Sequence, residues 1–522
     1  MRNLKILLKN GLVYNGTNEP PEKNDVLIDN DKIVSIGENL NIDADTVIDC
    51  TGLMVTPGFI DAHSHNDFFV KNTEALLPFL RQGITTQIAG NCGFSAYGVN
   101  PLSPYKHLIG GGLFFYDNPS SLKDYMEEVK DNLAVNIVPL VGHGSIRLSS
   151  AGMKKGKLTD KELEEMLTLL EENLSNGAFG GSLGLMYEPG IHAPFDELVK
   201  FAEVIRKYDG ILTVHPRACS KVALGYSLFG KPHIERALDE VIKITEMTGV
   251  RTEYSHLIFV GSSSWKCVNP MLKRFKEVQE EGFDLHYDMY PFTYGASTIA
   301  VILPDWYLKL TEEKRKSSFN KFKLKLIINV TKKLLGIDFS DMVISYIEGY
   351  PEYEGKNVAE IAQKENLSAF DMYIKLVELS EGKGRIMLGK YYNEDIIKIL
   401  MNDGSSVYMT DAWYEKSGVQ NSGTYQAFPL FLENTKQHNI SLENTIHKMT
   451  GKTADRFRIS KRGYIKEGYY ADITVFDYEM IKVDQNEINT PPGIKYVLVN
   501  GKVIIKDNEY TGINNGLVIT KN

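Results

Sequence analysis

Two histidines one residue apart close an apolar run, Val-Thr-Pro-Gly-Phe-Ile-Asp-Ala-His-Ser-His-Asn-Asp, at residues 55–67. Side chains at i and i+2 of a strand share a face, so His63 and His65 aim at one point while Ser64 turns away. Imidazole is a preferred ligand for zinc and its first-row neighbours. Asp61 and Asp67 flank the pair, where a carboxylate can orient an imidazole from behind. Four more residues of ligand or acid–base type end other apolar runs: Cys92 after Gly90-Asn91, His215 after Thr213-Val214, His256 after Tyr254-Ser255, and Asp411 after Met409-Thr410. One histidine at a strand end is an ordinary core or surface residue. Five strand ends carrying His, Cys or Asp are a pattern.

The elements that must bring them together are short strands alternating with helical stretches, the signature of βα units on a parallel sheet. Eight strands are expected at residues 59–65, 84–91, 135–142, 178–185, 211–215, 252–256, 283–290 and 406–411. Apolar residues at helical spacing predict helices over 158–176, 195–208 and 234–248. Eight such units close a (β/α)8 TIM-type barrel whose reactive face lies at the strand C-termini, where the six residues fall. The seventh unit carries an insertion over about 293–385, lysine-rich and helical in pattern, with helices expected at 309–335 and 358–379. Its position fits a lid or pocket wall. Both ends of the chain read as strands and turns, with strands expected at 6–8, 11–14, 26–28, 32–36 and 47–49 and at 463–477, 493–499 and 502–505. The expected domains are a small β-sandwich built from 1–58 and 461–522, and the barrel over 59–460.

Bulk properties narrow the function classes. At 522 residues a barrel plus a satellite domain fits without strain. The formal net charge is −9 with no basic cluster, which argues against nucleic acid as a partner. No stretch is apolar enough to span a bilayer, so no membrane partner is expected. Ile6-Leu7-Leu8 is too short for a signal-peptide core, and Cys50, Cys92, Cys219 and Cys267 are too scattered for a disulfide framework. A cytoplasmic location is the resulting expectation.

Pro57-Gly58-Phe59-Ile60-Asp61-Ala62-His63-Ser64-His65 resembles the first-strand signature of the amidohydrolase superfamily. Those enzymes are metal-dependent hydrolases on an eight-stranded barrel. Gly90-Asn91-Cys92-Gly93, Gly142-His143-Gly144 and Met449-Thr450-Gly451-Lys452-Thr453-Ala454-Asp455-Arg456-Phe457 look like its N-acyl-D-amino-acid deacylase (D-aminoacylase) branch, as does the C-terminal Ala471-Asp472-Ile473-Thr474-Val475-Phe476-Asp477. The resemblance implies a zinc ion held tightly by Cys92, His215 and His256. It implies a weaker second site at His63 and His65, within reach of Cys92 and Asp411. It further implies Asp411 as the group that takes a proton from the attacking water, and a small-molecule substrate met by Tyr290, Arg217, His143, Arg147 and Tyr187. The implied activity is hydrolysis of the amide C–N bond of a small N-acyl compound. Hydrolysis of a neutral cyclic amide, as by hydantoinases or dihydroorotases, is the alternative. Three departures matter. Residues 178–185 contain no lysine to bridge two metals, Ile258 stands where the branch has a carboxylate-binding lysine, and residues 413–428 hold no arginine, only Lys416.

Overall fold

A computed structural model describes residues 4–105, 121–223, 230–308, 310–485 and 487–521. Eight parallel strands form the centre: Phe59–Ser64, Ile84–Ala89, Asn136–Gly142, Gly180–Gly184, Ile211–His215, Arg251–Tyr254, Leu285–Met289 and Ser406–Tyr408, called barrel strands one to eight. They neighbour one another in chain order. The cylinder closes between strands eight and one through a parallel bridge of Ser64 with Ala412 and a 3.0 Å bond from Asp411 N–H to the His63 carbonyl. All eight lie where the apolar runs predict them. Strand two, Ile-Thr-Thr-Gln-Ile-Ala, is buried along its whole length, as a parallel strand covered on both faces must be.

The outer helices follow their predicted periodicity. Asp160–Ser175 opens on a capping box between Thr159 and Glu162, and Phe195–Lys207 follows a proline. His233–Thr248 ends where Gly249 takes a left-handed φ of 63°.

The chain ends share one nine-stranded sheet in which Met54–Pro57 pairs antiparallel with Ile473–Phe476. The strands expected at 6–8 and 11–14 are one strand, Lys5–Val13, bulged at Asn10, whose φ is 62°. Residues 463–471 are turns rather than strand, broken by left-handed Gly463 and Gly468. Ile6, Leu8, Val26, Ile28, Ile48, Ile473 and Val475 form the sheet's own core, while Phe476, Val497 and Val499 join the barrel core. The joint is polar at one point. Buried Asp472 meets the guanidinium of Arg462 and accepts from Asn136 Nδ2 (3.2 Å) at the start of strand three and from Asn500 N (2.8 Å).

The insertion corrects the expectation of an all-helical segment. Its core is a three-stranded antiparallel sheet with Arg385–Leu388 between Gly295–Thr298 and Met342–Tyr346. Strands of four or five residues carry too short a pattern to stand out between long helical runs. The two expected helices are each broken. The first divides into Glu312–Arg315 and Ser318–Leu335, the second into Val358–Lys364 and Ala369–Leu379, where Asn366 is left-handed and Ser368 caps the new start. Among the described residues no helix is long and apolar enough to cross a membrane.

Removing the Asp472 carboxylate leaves a buried guanidinium without its counter-charge. Asp472→Ala should lower unfolding stability by about 3–5 kcal/mol in urea titrations, and a loss well under 1 kcal/mol would contradict this role.

Candidate metal centre and active site

The six predicted donors meet at one mouth of the barrel. Cys92 Sγ lies 3.3 Å from His63 Nε2 and 3.6 Å from both His215 Nδ1 and His256 Nε2. His63 Nε2 and His65 Nε2 each stand 3.6 Å from Asp411 Oδ1. Two overlapping groups result: His63, Cys92 and His256, and His63, His65 and Asp411. Asp411 is the most open of the six, its side chain 26% exposed.

Local backbone geometry explains the convergence. Cys92, His256 and Asp411 have φ of 52°, 34° and 49°. Left-handed backbone is uncommon for non-glycine residues and persists only where the surroundings enforce it. Around Cys92 the enforcement is steric and polar. A Cβ at Gly90 would meet the Leu140 carbonyl at 2.0 Å, and one at Gly184 would meet the Cys92 carbonyl at 1.9 Å. Ser182, on the lysine-free fourth strand, donates to Gly90 O (2.5 Å) and accepts from Gly93 N (2.9 Å). Around Asp411 the enforcement comes from Asp61, which accepts from Thr410 N (2.9 Å) and Thr410 Oγ1 (2.7 Å).

Sequence reasoning missed Asp288. This fully buried strand-seven carboxylate accepts the His256 amide N–H at Oδ1 and lies 3.4 Å from His63 Nδ1 at Oδ2. It therefore holds the strained His256 backbone and fixes the His63 tautomer that leaves the Nε2 lone pair facing Cys92. A signal was available: Asp288 is two residues before Tyr290, on the same strand face.

Burial sets the protonation states. It depresses the His63 imidazole to about 3 and also lowers His215 and His256, so the rings are neutral with lone pairs to offer. Burial pushes the Cys92 thiol well up, a thiol that a cation would deprotonate. Burial also raises Asp288, to about 7, opposed by His256. At Asp411 burial works upward too, but the bond from His65 and the surrounding imidazoles outweigh it and hold the carboxyl below its usual range.

The donor set fits a zinc ion. Tetrahedral zinc with bonds near 2.0–2.3 Å places neighbouring N and S ligands roughly 3.3–3.6 Å apart. The three Cys92–histidine separations fall in that span. His215 Nδ1 and His256 Nε2 are closer, at 2.6 Å, and have to part by under about 1 Å. The far nitrogens, His215 Nε2 and His256 Nδ1, are buried with no hydrogen-bond partner, so the polar ring contacts of both residues are all made at this centre.

The expected substrate contacts divide. Tyr290 lines a small open pocket with Phe292, Tyr294, Gly295, Thr410, Asp411 and Asn421. Tyr187 packs its ring 4.5 Å from that of His215. For three others the fold supplies polar partners, although His143 Nδ1 stays buried without one. His143 Nε2 (2.9 Å) and Arg147 Nε (2.8 Å) both bind Glu197, and the remaining Arg147 nitrogens donate to the Lys154 and Gly156 carbonyls. Arg217 Nε contacts both Glu240 oxygens at 2.9 Å and its other nitrogens donate to Ile191 and Ala193 carbonyls. Lys416 is exposed and Ile258 buried. No cation is among the described residues that line the pocket.

The sequence model of the amidohydrolase family matches residues 46–209 and 393–505, more than half of the chain. The chain belongs to the amidohydrolase family. This amidohydrolase is 26% identical to a D-aminoacylase of Alcaligenes xylosoxydans xylosoxydans, over 99% of this chain and 97% of that one. A crystal structure of D-aminoacylase superposes with a TM-score of 0.79 at 25% identity, covering 99% of each chain. An N-acyl-D-glutamate deacylase from Bordetella bronchiseptica, solved with zinc and a phosphonate mimic of the tetrahedral intermediate, shares the fold at a TM-score of 0.79 and 23% identity, over 99% of this chain and 100% of that one.

Asp288→Asn keeps only one acceptor oxygen, so either His256 N–H or His63 Nδ1–H loses its partner. Metal affinity in chelator competition should fall about 10–100-fold with the circular dichroism unchanged. Full retention of affinity would remove Asp288 from the site.

Proposed function

We propose that this amidohydrolase is zinc-dependent and cleaves the amide C–N bond of a small N-acyl compound, with an N-acyl-D-amino acid as the reference substrate. The observation that carries the reading is the meeting of Cys92, His63, His215 and His256 beside an ionised Asp411 at the open end of the barrel. The D-aminoacylase relative matched from end to end supports the substrate class. The cyclic-amide alternative is disfavoured by a fourth strand without a bridging lysine, Gly180-Gly181-Ser182-Leu183-Gly184.

In this reading Cys92, His215 and His256 hold a tightly bound zinc, and His63 and His65, with Cys92 and Asp411, form a weaker second position. Bound zinc supplies a Lewis acid for the scissile carbonyl and a lowered pKa for water. Asp411 is the proton carrier. Its Oδ1 accepts a proton from the attacking water and returns it to the leaving nitrogen. The Asp61–Thr410 bonds keep that oxygen directed at the mouth, and the depressed pKa keeps it unprotonated at neutral pH. Tyr290, Phe292 and Tyr294 give the substrate an aromatic wall and exclude water from it.

The fold-engaged arginines favour a refinement. A buried substrate carboxylate needs a cationic partner, and Arg147 and Arg217 have theirs already. N-acyl compounds whose amino-acid part is amidated therefore fit the wall better than the free acids. A hydrolysis panel of N-acyl-D-amino acids, their amides and hydantoins should show turnover of the linear compounds, highest for the amides. Cleavage of hydantoins alone would overturn the proposal. Asp411→Asn should retain zinc while kcat falls about 10²–10⁴-fold, and unchanged kcat would contradict its role.

A further inference from the structure

The helix Ser318–Leu335 of the insertion exposes its apolar residues instead of burying them all. Leu324, Ile328 and Leu335 face the protein and are buried. Phe319 (73% exposed), Phe322 (70%), Leu326 (58%), Val330 (49%) and Leu334 (42%) lie outside. At 100° per residue, those five positions fall within an arc of about 120°, so they form a stripe roughly 22 Å long. Residues 314–335 hold eight cations, Lys314, Arg315, Lys316, Lys321, Lys323, Lys325, Lys332 and Lys333, and no Asp or Glu, in a chain whose net charge is −9. The sequence expectation of no basic cluster fails here. By helical position Lys323 and Lys333 fall within about 40° of the stripe's centre, the Nζ of Lys323 lying 4.4 Å from the centre of the Trp306 ring.

We propose that this helix docks the protein on an anionic lipid surface. A helix with an apolar stripe between basic flanks lies in the plane of a bilayer, its apolar side at the headgroup–acyl boundary and its lysines reaching the phosphates. Charge decides against a second copy of the chain as occupant. A two-fold contact through the stripe would gather Lys323 and Lys333 of both copies into one interface, whereas anionic headgroups neutralise them. The helix is anchored where the site is served. Gly295 and Ala296 of the same insertion line the substrate pocket. Docking through the helix therefore sets the insertion that walls the pocket against the lipid surface.

Co-sedimentation of the full chain with vesicles of phosphatidylcholine alone, and of phosphatidylcholine with phosphatidylglycerol at 3:1, tests this in 0.1 M and 0.5 M salt. The protein should pellet with the anionic vesicles only and be released at high salt. Phe322→Ser with Leu326→Ser, and separately Lys323→Glu with Lys333→Glu, should each weaken pelleting at least tenfold, with circular dichroism and amide hydrolysis unchanged. No pelleting with anionic vesicles, or equal pelleting with both compositions, would overturn the proposal. So would a dimer in analytical ultracentrifugation that the Phe322→Ser, Leu326→Ser variant splits, since the face would then belong to a second copy.

Discussion

The clasp between the last barrel strand and the first is the contact on which the site depends. Asp61 on strand one accepts two hydrogen bonds from Thr410, and the His63 carbonyl accepts the Asp411 amide. These bonds close the cylinder and, in the same stroke, place the Asp411 carboxylate beside the two histidines of strand one. Without closure the sheet keeps two free edges, and residues 348 positions apart (63 and 411) have no reason to meet. The carboxylate that makes the clasp is costly. Burial pushes Asp61 up to about 7 against the bonds from Thr410, His63 and Gln87.

A second constraint is conformational. Three of the six converging residues sit in left-handed backbone, which costs each about 1–3 kcal/mol. The neighbouring elements meet that cost with specific contacts: Ser182 and two backbone approaches at Cys92, Asp288 at His256, and the clasp at Asp411. Glycines on strand four are part of the same device, since a side chain at Gly184 would occupy the Cys92 carbonyl. The backbone that presents these residues is thus held by the protein's own contacts.

Much of this was legible in the sequence, for definite reasons. Parallel barrel strands are buried on both faces, so runs such as Ile-Val-Pro-Leu-Val at residues 137–141 stand out as unbroken apolar segments. The ligand-type residues end those runs, and the strands of a parallel barrel all end at one mouth. The insertion's sheet stayed hidden because strands such as Arg385–Leu388 span only four residues between helices. Asp288 stayed hidden because a single carboxylate inside an apolar strand announces burial, not the partner it serves. The partners of Arg147 and Arg217 were equally hidden, because Glu197 and Glu240, which pair with them, lie on other elements of the fold.

In the proposed site a thiolate and imidazoles from separate strands grip one zinc ion, and X-ray absorption at the zinc edge of the purified protein reads that shell. The expected spectrum has a sulfur scatterer near 2.3 Å with nitrogen neighbours near 2.0–2.1 Å, the sulfur disappearing in Cys92→Ala. Protein without zinc, or a zinc shell of oxygen and nitrogen alone, would contradict this assignment.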